Sequence, residues 1–414
     1  MVISKRLLAL GATAAIIIAA CGPGAPTTGP AGSQPAATQD TMSEPPATSA
    51  GGDKSDYVAC VAFDTGGLGD KNFNDLAKKG LDDAGAEGFD TKFSEATGSG
   101  DYAANIQRLI DQGCEAIVTV GFLQGQATVD ATNANPDIAF AQVDTSWAGG
   151  AGAGPDFTPG TADDIPIPDN FTGLDYQIDE ASMLAGYLAA AWSKSGKVAT
   201  YGGLAFPGVT RFMDGFYSGV QYYNEQKGTT VEVEGWDGSQ ADPTAGGTFV
   251  GGSGGPDTWA NTAKGEEFAR NFVEQSDVDI VHPVAGATGN ATIKGMFERE
   301  LWAVGVDTDQ WLSLEDQPYH TALLTSAQKG IDVSVLDFFN KTFGGDIGGE
   351  DIVGTLENGG VLLAPYHDYE DEIAAVEGLT AEIEALRAAI IDGSVGVCDY
   401  LDATTAPSRG IAGC

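Results

Sequence analysis

The residues of this 414-residue chain that could do chemistry are carboxylates and amides placed just after apolar runs, rather than nucleophiles or metal ligands. Asp64 opens a polar stretch that runs to residue 74, Asp144 follows a second apolar run, and Asp307 leads another polar stretch to residue 310. Carboxylates in such places can accept hydrogen bonds from a polar solute, a reading that outweighs, for Asp64 or Asp307 taken singly, the capping of a following helix. The three histidines, His282, His320 and His367, stand in no triad or metal-binding spacing. Gly251-Gly252-Ser253-Gly254-Gly255 has the outline of a nucleophile elbow, but it lies in a glycine-rich stretch with no strong strand before it, which argues against a hydrolase. The phosphate-loop pattern GxxxxGK[ST] is absent, so the chain is no ATPase subunit.

Strands of a parallel sheet can hold these groups. Short β-branched runs at 57–63, 90–94, 116–120 and 138–143 alternate with amphipathic segments at 74–84 and 102–112. The rhythm recurs with strands at 197–201, 230–235, 280–284 and 302–306 and helices at 179–192, 209–226 and 264–274. The expected fold class is therefore α/β, with two doubly wound parallel-sheet lobes. Ligands bind such sheets at the carboxyl ends of the strands, so two facing lobes would share one cleft lined by strand-to-helix loops. The stretches 149–173 and 245–255 interrupt the rhythm and read as inserted loops. The first carries Asp156, Asp163, Asp164 and Asp169, better read as a solvated acidic surface than as a calcium site. Residues 373–391 form a C-terminal helix.

The ends of the chain speak to location. Lys5 and Arg6 precede an apolar run shorter than the roughly 20 residues a membrane span requires, which ends at Ile18-Ala19-Ala20-Cys21. This is a lipobox, so residues 1–20 are expected to be a signal peptide and Cys21 the lipidated N-terminus, on the extracytoplasmic face. Residues 21–55, rich in Pro, Gly, Ala, Ser and Thr, read as a disordered tether. The net charge of −39 makes nucleic acid a poor partner. With Cys21 lipidated, four cysteines remain in an oxidising compartment, and the preferred pairings are Cys60 with Cys114 and Cys398 with Cys414. No metal and no cofactor is expected.

The segment Phe63-Asp64-Thr65-Gly66-Gly67-Leu68-Gly69-Asp70-Lys71-Asn72-Phe73-Asn74 resembles the signature of the BMP family of basic membrane lipoproteins, the PnrA-like substrate-binding proteins of ABC transporters. Colinear similarities follow at Gln142-Val143-Asp144, Gly186-Tyr187-Leu188-Ala189-Ala190, Phe206-Pro207-Gly208-Val209, Gly215-Phe216-Tyr217-Ser218-Gly219, Ala285-Gly286-Ala287-Thr288-Gly289, Val304 to Gln310 and Thr325-Ser326-Ala327-Gln328-Lys329. The resemblance implies a type I periplasmic-binding-protein fold whose lobes are joined by a three-strand hinge, closing on a purine nucleoside for a permease and its ATPase. It implies that Asp64, Asn72 and Phe73 line the first lobe, that Asp144 sits deeper, and that Asp307 and Lys329 meet the ribose. Gly286 joins this set through its motif. Trp259 stands where the family carries a second aromatic, a Phe, and Asn261 where it carries an Asp. The implied lobes are 56–174 with about 307–345, and 175–306 with about 346–370, followed by a helix and tail at 371–414. The same fold could instead hold a sugar or another small polar solute, or serve a membrane-tethered sensor.

Overall fold

The structure is a computed structural model and describes residues 52–150, 152, 164–238, 247–402 and 411. The expected signal peptide, Cys21, the tether up to residue 51, Asp156, Asp163 and Cys414 lie outside the described residues. Two six-stranded sheets form the core of two lobes. Strands β1 (Val58–Phe63), β2 (Asp90–Glu95), β3 (Ala116–Val120), β4 (Ala139–Val143) and β5 (Phe171–Tyr176) come first. Then follow β6 (Lys197–Gly202), β7 (Glu232–Glu234), β8 (Ile280–Val284), β9 (Trp302–Asp307), β10 (Leu323–Lys329), β11 (Glu350–Gly354) and β12 (Val361–Leu363). The first sheet is ordered β11-β5-β4-β3-β1-β2 and is parallel throughout. The second is ordered β12-β10-β9-β8-β6-β7, with only β12 antiparallel.

The inner strands are buried and mainly apolar, as in a sheet covered on both faces. Ala59 to Phe63 and Ala139 to Val143 are fully buried. In the second lobe, helices Ile178–Trp192 and Pro207–Lys227 pack backbone against backbone. A Cβ added at Gly186 would come within 2.1 Å of the Phe216 carbonyl, and one at Gly219 within 2.0 Å of the Met183 carbonyl, so the approach requires glycine. A disulfide joins Cys60 on β1 to Cys114 at the entrance of β3. Cys398 is disulfide-bonded as well.

Among the described residues three segments connect the lobes: β5 into helix Ile178–Trp192, β10 into helix Ile331–Phe343, and β11 into β12. The second and third crossings differ from the boundaries expected at about 307 and 346. After β9 the chain does not leave the second lobe but returns as β10 alongside it. It crosses only at Gly330, whereupon helix Ile331–Phe343 packs on helix Phe73–Ala86. Residues 346–354 remain in the first lobe because β11 extends that sheet beside β5. The expected loop 149–173 likewise ends early, since residues from 171 onward form β5. The expected tether also stops short of residue 55, because the Lys54 ammonium donates to Glu87 and to Asn340 Oδ1, each at 2.7 Å.

Candidate functional site

The carboxyl ends of both sheets face each other across a cavity of about 550 Å³ including its mouth. Asp144 follows β4 and Asp307 ends β9, which hold corresponding places in the two sheet orders. Both adopt left-handed backbone, at φ 66° and 64°, a conformation uncommon outside glycine and one that clusters at functional sites. Lys329, at the end of β10, reaches across the lobes, with its ammonium 2.8 Å from Asp144 Oδ2 and 3.5 Å from Asp307 Oδ1. The same nitrogen lies 4.7 Å from the ring centre of Phe212 and 5.5 Å from that of Phe73. Lys329 is the only cation among the described residues that line the cavity, against the carboxylates of Asp64, Asp70, Asp144 and Asp307. Burial pushes Asp307 up to about 6 even though Lys329 pulls it down, and Asp144 is raised for the same reason.

The loop after β1 is ordered by its own carboxylates. Asp70 accepts from the backbone amides of Asn72, Asn74 and Asp75 and from the Asn74 side chain, which seats the start of helix Phe73–Ala86. Asp64 Oδ1 accepts from Gly66 N at 2.8 Å and from Asn74 Nδ2 at 3.0 Å. Burial raises both acids to about 6 against these bonds. Asn74 Oδ1 is left buried without a hydrogen-bond partner, and Asp307 Oδ1 has none closer than the Lys329 ammonium at 3.5 Å, although both residues line the cavity. Two acceptors in that state call for donors from whatever enters.

The aromatic walls come from both lobes. Phe73 is the first residue of its helix, and Trp259 ends the short helix Pro256–Trp259. The Trp259 ring packs on Gly203, where an added Cβ would lie 2.1 Å from Cζ3, and Gly286 passes beside its backbone with φ 56°. At the mouth Phe122 meets Phe206 with ring centres 4.1 Å apart. The lobes are closed: Asn290 Nδ2 donates to the Asp70 carbonyl at 2.9 Å, and Ser313 Oγ to the Lys71 carbonyl at 2.6 Å.

Seven of the eight residues singled out in the sequence, Asp64, Phe73, Asp144, Trp259, Gly286, Asp307 and Lys329, line this one cavity. Asn72 does not. Its side chain turns back to accept from Phe73 N at 2.8 Å as the helix cap, and Asn74 takes the cavity side. Asp70, Phe122 and Phe212 also line the cavity. Asp70 lies in the same polar stretch after β1 as Asp64, whereas the two phenylalanines carried no signal that separates them from core residues.

A family model described as ABC transporter substrate-binding protein PnrA-like (Bmp) matches residues 57–246 and 256–395, about four-fifths of the chain. A CD4+ T-cell-stimulating antigen of Listeria innocua is 26% identical over 369 residues, covering 84% of this chain and 90% of its own length. The ABC transporter nucleoside-binding protein BmpA of Lactococcus lactis subsp. cremoris is 25% identical over 370 residues, covering 83% and 90%. Among solved structures, a solute-binding protein of an ABC transporter system from Aeropyrum pernix K1 aligns with a TM-score of 0.63 at 23% identity, over 82% of this chain and 92% of that one. The fold is that of the type I periplasmic solute-binding proteins. The match along nearly the whole folded body, together with two parallel-sheet lobes closed on one cavity, establishes that the chain belongs to the Bmp family of PnrA-like ABC transporter substrate-binding proteins.

Proposed function

We propose that this protein captures a purine nucleoside between its lobes and hands it to the permease of an ABC importer, while tethered outside the cytoplasmic membrane through a lipidated Cys21. One observation carries the reading: an aromatic wall from each lobe, Phe73 and Trp259, flanks a cavity in which the buried acceptor Asn74 Oδ1 has no partner and Asp307 Oδ1 has only the Lys329 ammonium at 3.5 Å. A purine supplies two flat faces for the walls, and its N–H groups and the ribose hydroxyls supply the donors. The relative named for nucleoside binding supports the same reading. Four carboxylates around one lysine disfavour a phosphate, so nucleotides are poor ligands. Ligand that touches both lobes favours the closed form through contacts found only there. Among the described residues no helix is long and apolar enough to cross a membrane.

Isothermal titration of the ligand-stripped full chain with inosine, guanosine, adenosine, cytidine and ribose tests the proposal. One-to-one binding of the purine nucleosides is expected, and no heat from any nucleoside with folded protein would overturn it. Phe73→Ala is expected to weaken binding by roughly 5- to 150-fold, the equivalent of about 1 to 3 kcal/mol for one stacked base.

The raised carboxyls set the pH dependence. Donors from the ligand favour the ionised forms of Asp64, Asp70 and Asp307, so binding lowers their proton affinity and releases protons when the pH is near 6. Affinity is expected to fall as the pH drops from 7 to 5. Titration in two buffers of different ionisation heat should show the release, and an affinity flat across that range would contradict it.

A further inference from the structure

Residues 247–255 fall between the two stretches matched by the family model, and here the second lobe touches the first beside the cavity. The segment is fastened to its own lobe. Val250 N donates to the Gly202 carbonyl at 2.9 Å and Gly251 N to the Gly203 carbonyl at 3.0 Å. The Thr258 hydroxyl then draws the turn together, donating to the Gly251 carbonyl at 2.6 Å and accepting from Gly254 N at 3.1 Å. At its tip Gly254 has φ 78°, a backbone conformation that favours glycine, and it lies beside Leu123 of the first lobe.

The Gly254 carbonyl receives two donors, one from each lobe. The Trp259 indole N–H reaches it at 2.9 Å, and the Thr65 hydroxyl, from the loop after β1, donates to the same oxygen. Since the carbonyl can only accept, the Thr65 proton points to it, and the Tyr102 hydroxyl, 3.2 Å from Thr65 Oγ1, must be the donor of that second bond. Tyr102, Thr65, Gly254 and Trp259 thus form a chain that is continuous only when the lobes are shut.

We propose that residues 247–255 are a latch that ties the pose of Trp259 to lobe closure, with Thr65 as the positioning residue that engages it. The inference rests on the reading of the cavity as the nucleoside site. In the open form the glycine-rich tip holds the indole through one bond and keeps the freedom its glycines allow. Closure adds the Thr65 bond and the Leu123 contact, which fix the tip and with it the aromatic wall. Because these contacts exist only in the closed complex, their loss falls on the dissociation rate rather than on the encounter.

The test follows inosine dissociation by stopped-flow displacement from the full chain and its variants. Thr65→Val is expected to speed dissociation about tenfold, as for one lost hydrogen bond, with association within about twofold and the melting temperature of the ligand-free protein unchanged. Thr65→Ser is expected to restore the slow rate. Trp259→Phe keeps a ring but removes the indole donor, so the share of the Thr65→Val effect that runs through the ring is lost and the two changes together are expected to speed dissociation by less than the product of their separate effects. Dissociation from Thr65→Val at the wild-type rate, or an effect confined to association, would overturn the latch. If no inosine binds to the wild type, the nucleoside reading fails by itself, and the latch is read without ligand from the distance between spin labels at Gln107→Cys and Glu274→Cys. A closed fraction that Thr65→Val cuts severalfold supports the latch, and identical distance distributions in the two proteins refute it.

Discussion

Replacing Lys329 by Met lowers the affinity for a purine nucleoside by about 100-fold or more. The ammonium sits between Asp144 of the first lobe and Asp307 of the second, and its side chain is only 1% exposed. Without it, closure would press two buried carboxylates together with no counter-charge, and breaking a buried pair in this way costs about 3 to 5 kcal/mol. In the open form Asp144 and Asp307 can each meet water, so the cost is borne by the closed state and appears as lost affinity, about two to three and a half decades. The melting temperature of ligand-free protein should change little. The deficit has a pH signature as well. Asp307, already raised to about 6, rises further without the ammonium, and a protonated carboxyl relieves the repulsion. The gap between variant and wild type should therefore narrow from pH 8 to pH 5. Titration at both values checks this, and a variant within tenfold of wild type would mean that Lys329 does not hold the closed cavity together.

That pair of aspartates was legible because each stands where an apolar run ends, and in a parallel sheet the strand end is where a cleft forms. The fold class was legible because most of the buried inner strands are short and mainly apolar, and the segments between them have helical periodicity. The crossings were harder to read. β11 is an edge strand, Glu350-Asp351-Ile352-Val353-Gly354, partly exposed along most of its length, and nothing local says which sheet it will extend. That choice belongs to the open edge beside β5, a long-range feature. β10 was missed because Thr325, Ser326 and Gln328 break its apolar run, and they are accommodated by specific partners such as the Ala364 carbonyl, which accepts from Thr325 at 2.7 Å. Asn72 and Asn74 were separable only by the helix start. With Phe73 as the first helical residue, Asn72 becomes the cap and Asn74, two steps of about 100° around the axis, turns to the cavity. Phe122 and Phe206 meet only on closure, so the sequence around either gives no sign of the other.

Arg211→Met should be the most damaging single change to the stability of the ligand-free fold. Arg211 projects from helix Pro207–Lys227 of the second lobe, and its Nη1 donates to Asp175 Oδ1 at 2.7 Å and to the Tyr176 carbonyl at 2.9 Å. Both acceptors end β5, where the first crossing begins, so the guanidinium fastens the second lobe to the root of the hinge. Met fills much of the volume but leaves Asp175 buried with its charge partner gone, for a loss of about 3 to 5 kcal/mol in urea unfolding. Asp179, buried in the first turn of the next helix, gives the pH signature. Burial raises its carboxyl to about 7 while Arg211 pulls it down, and its Oδ1 has no hydrogen-bond partner. A folded-state value above the ordinary 3.8 means that the carboxyl's contribution to stability is full at low pH and is lost as the pH rises through the folded value. Removal of Arg211 moves that folded value higher still, so the variant should lose more ground between pH 6 and pH 8 than wild type does. Adding Asp175→Asn to Arg211→Met should recover part of the loss, since it removes the stranded charge. A deficit independent of pH and untouched by the second substitution would locate the damage in packing instead of in the buried charges at the hinge.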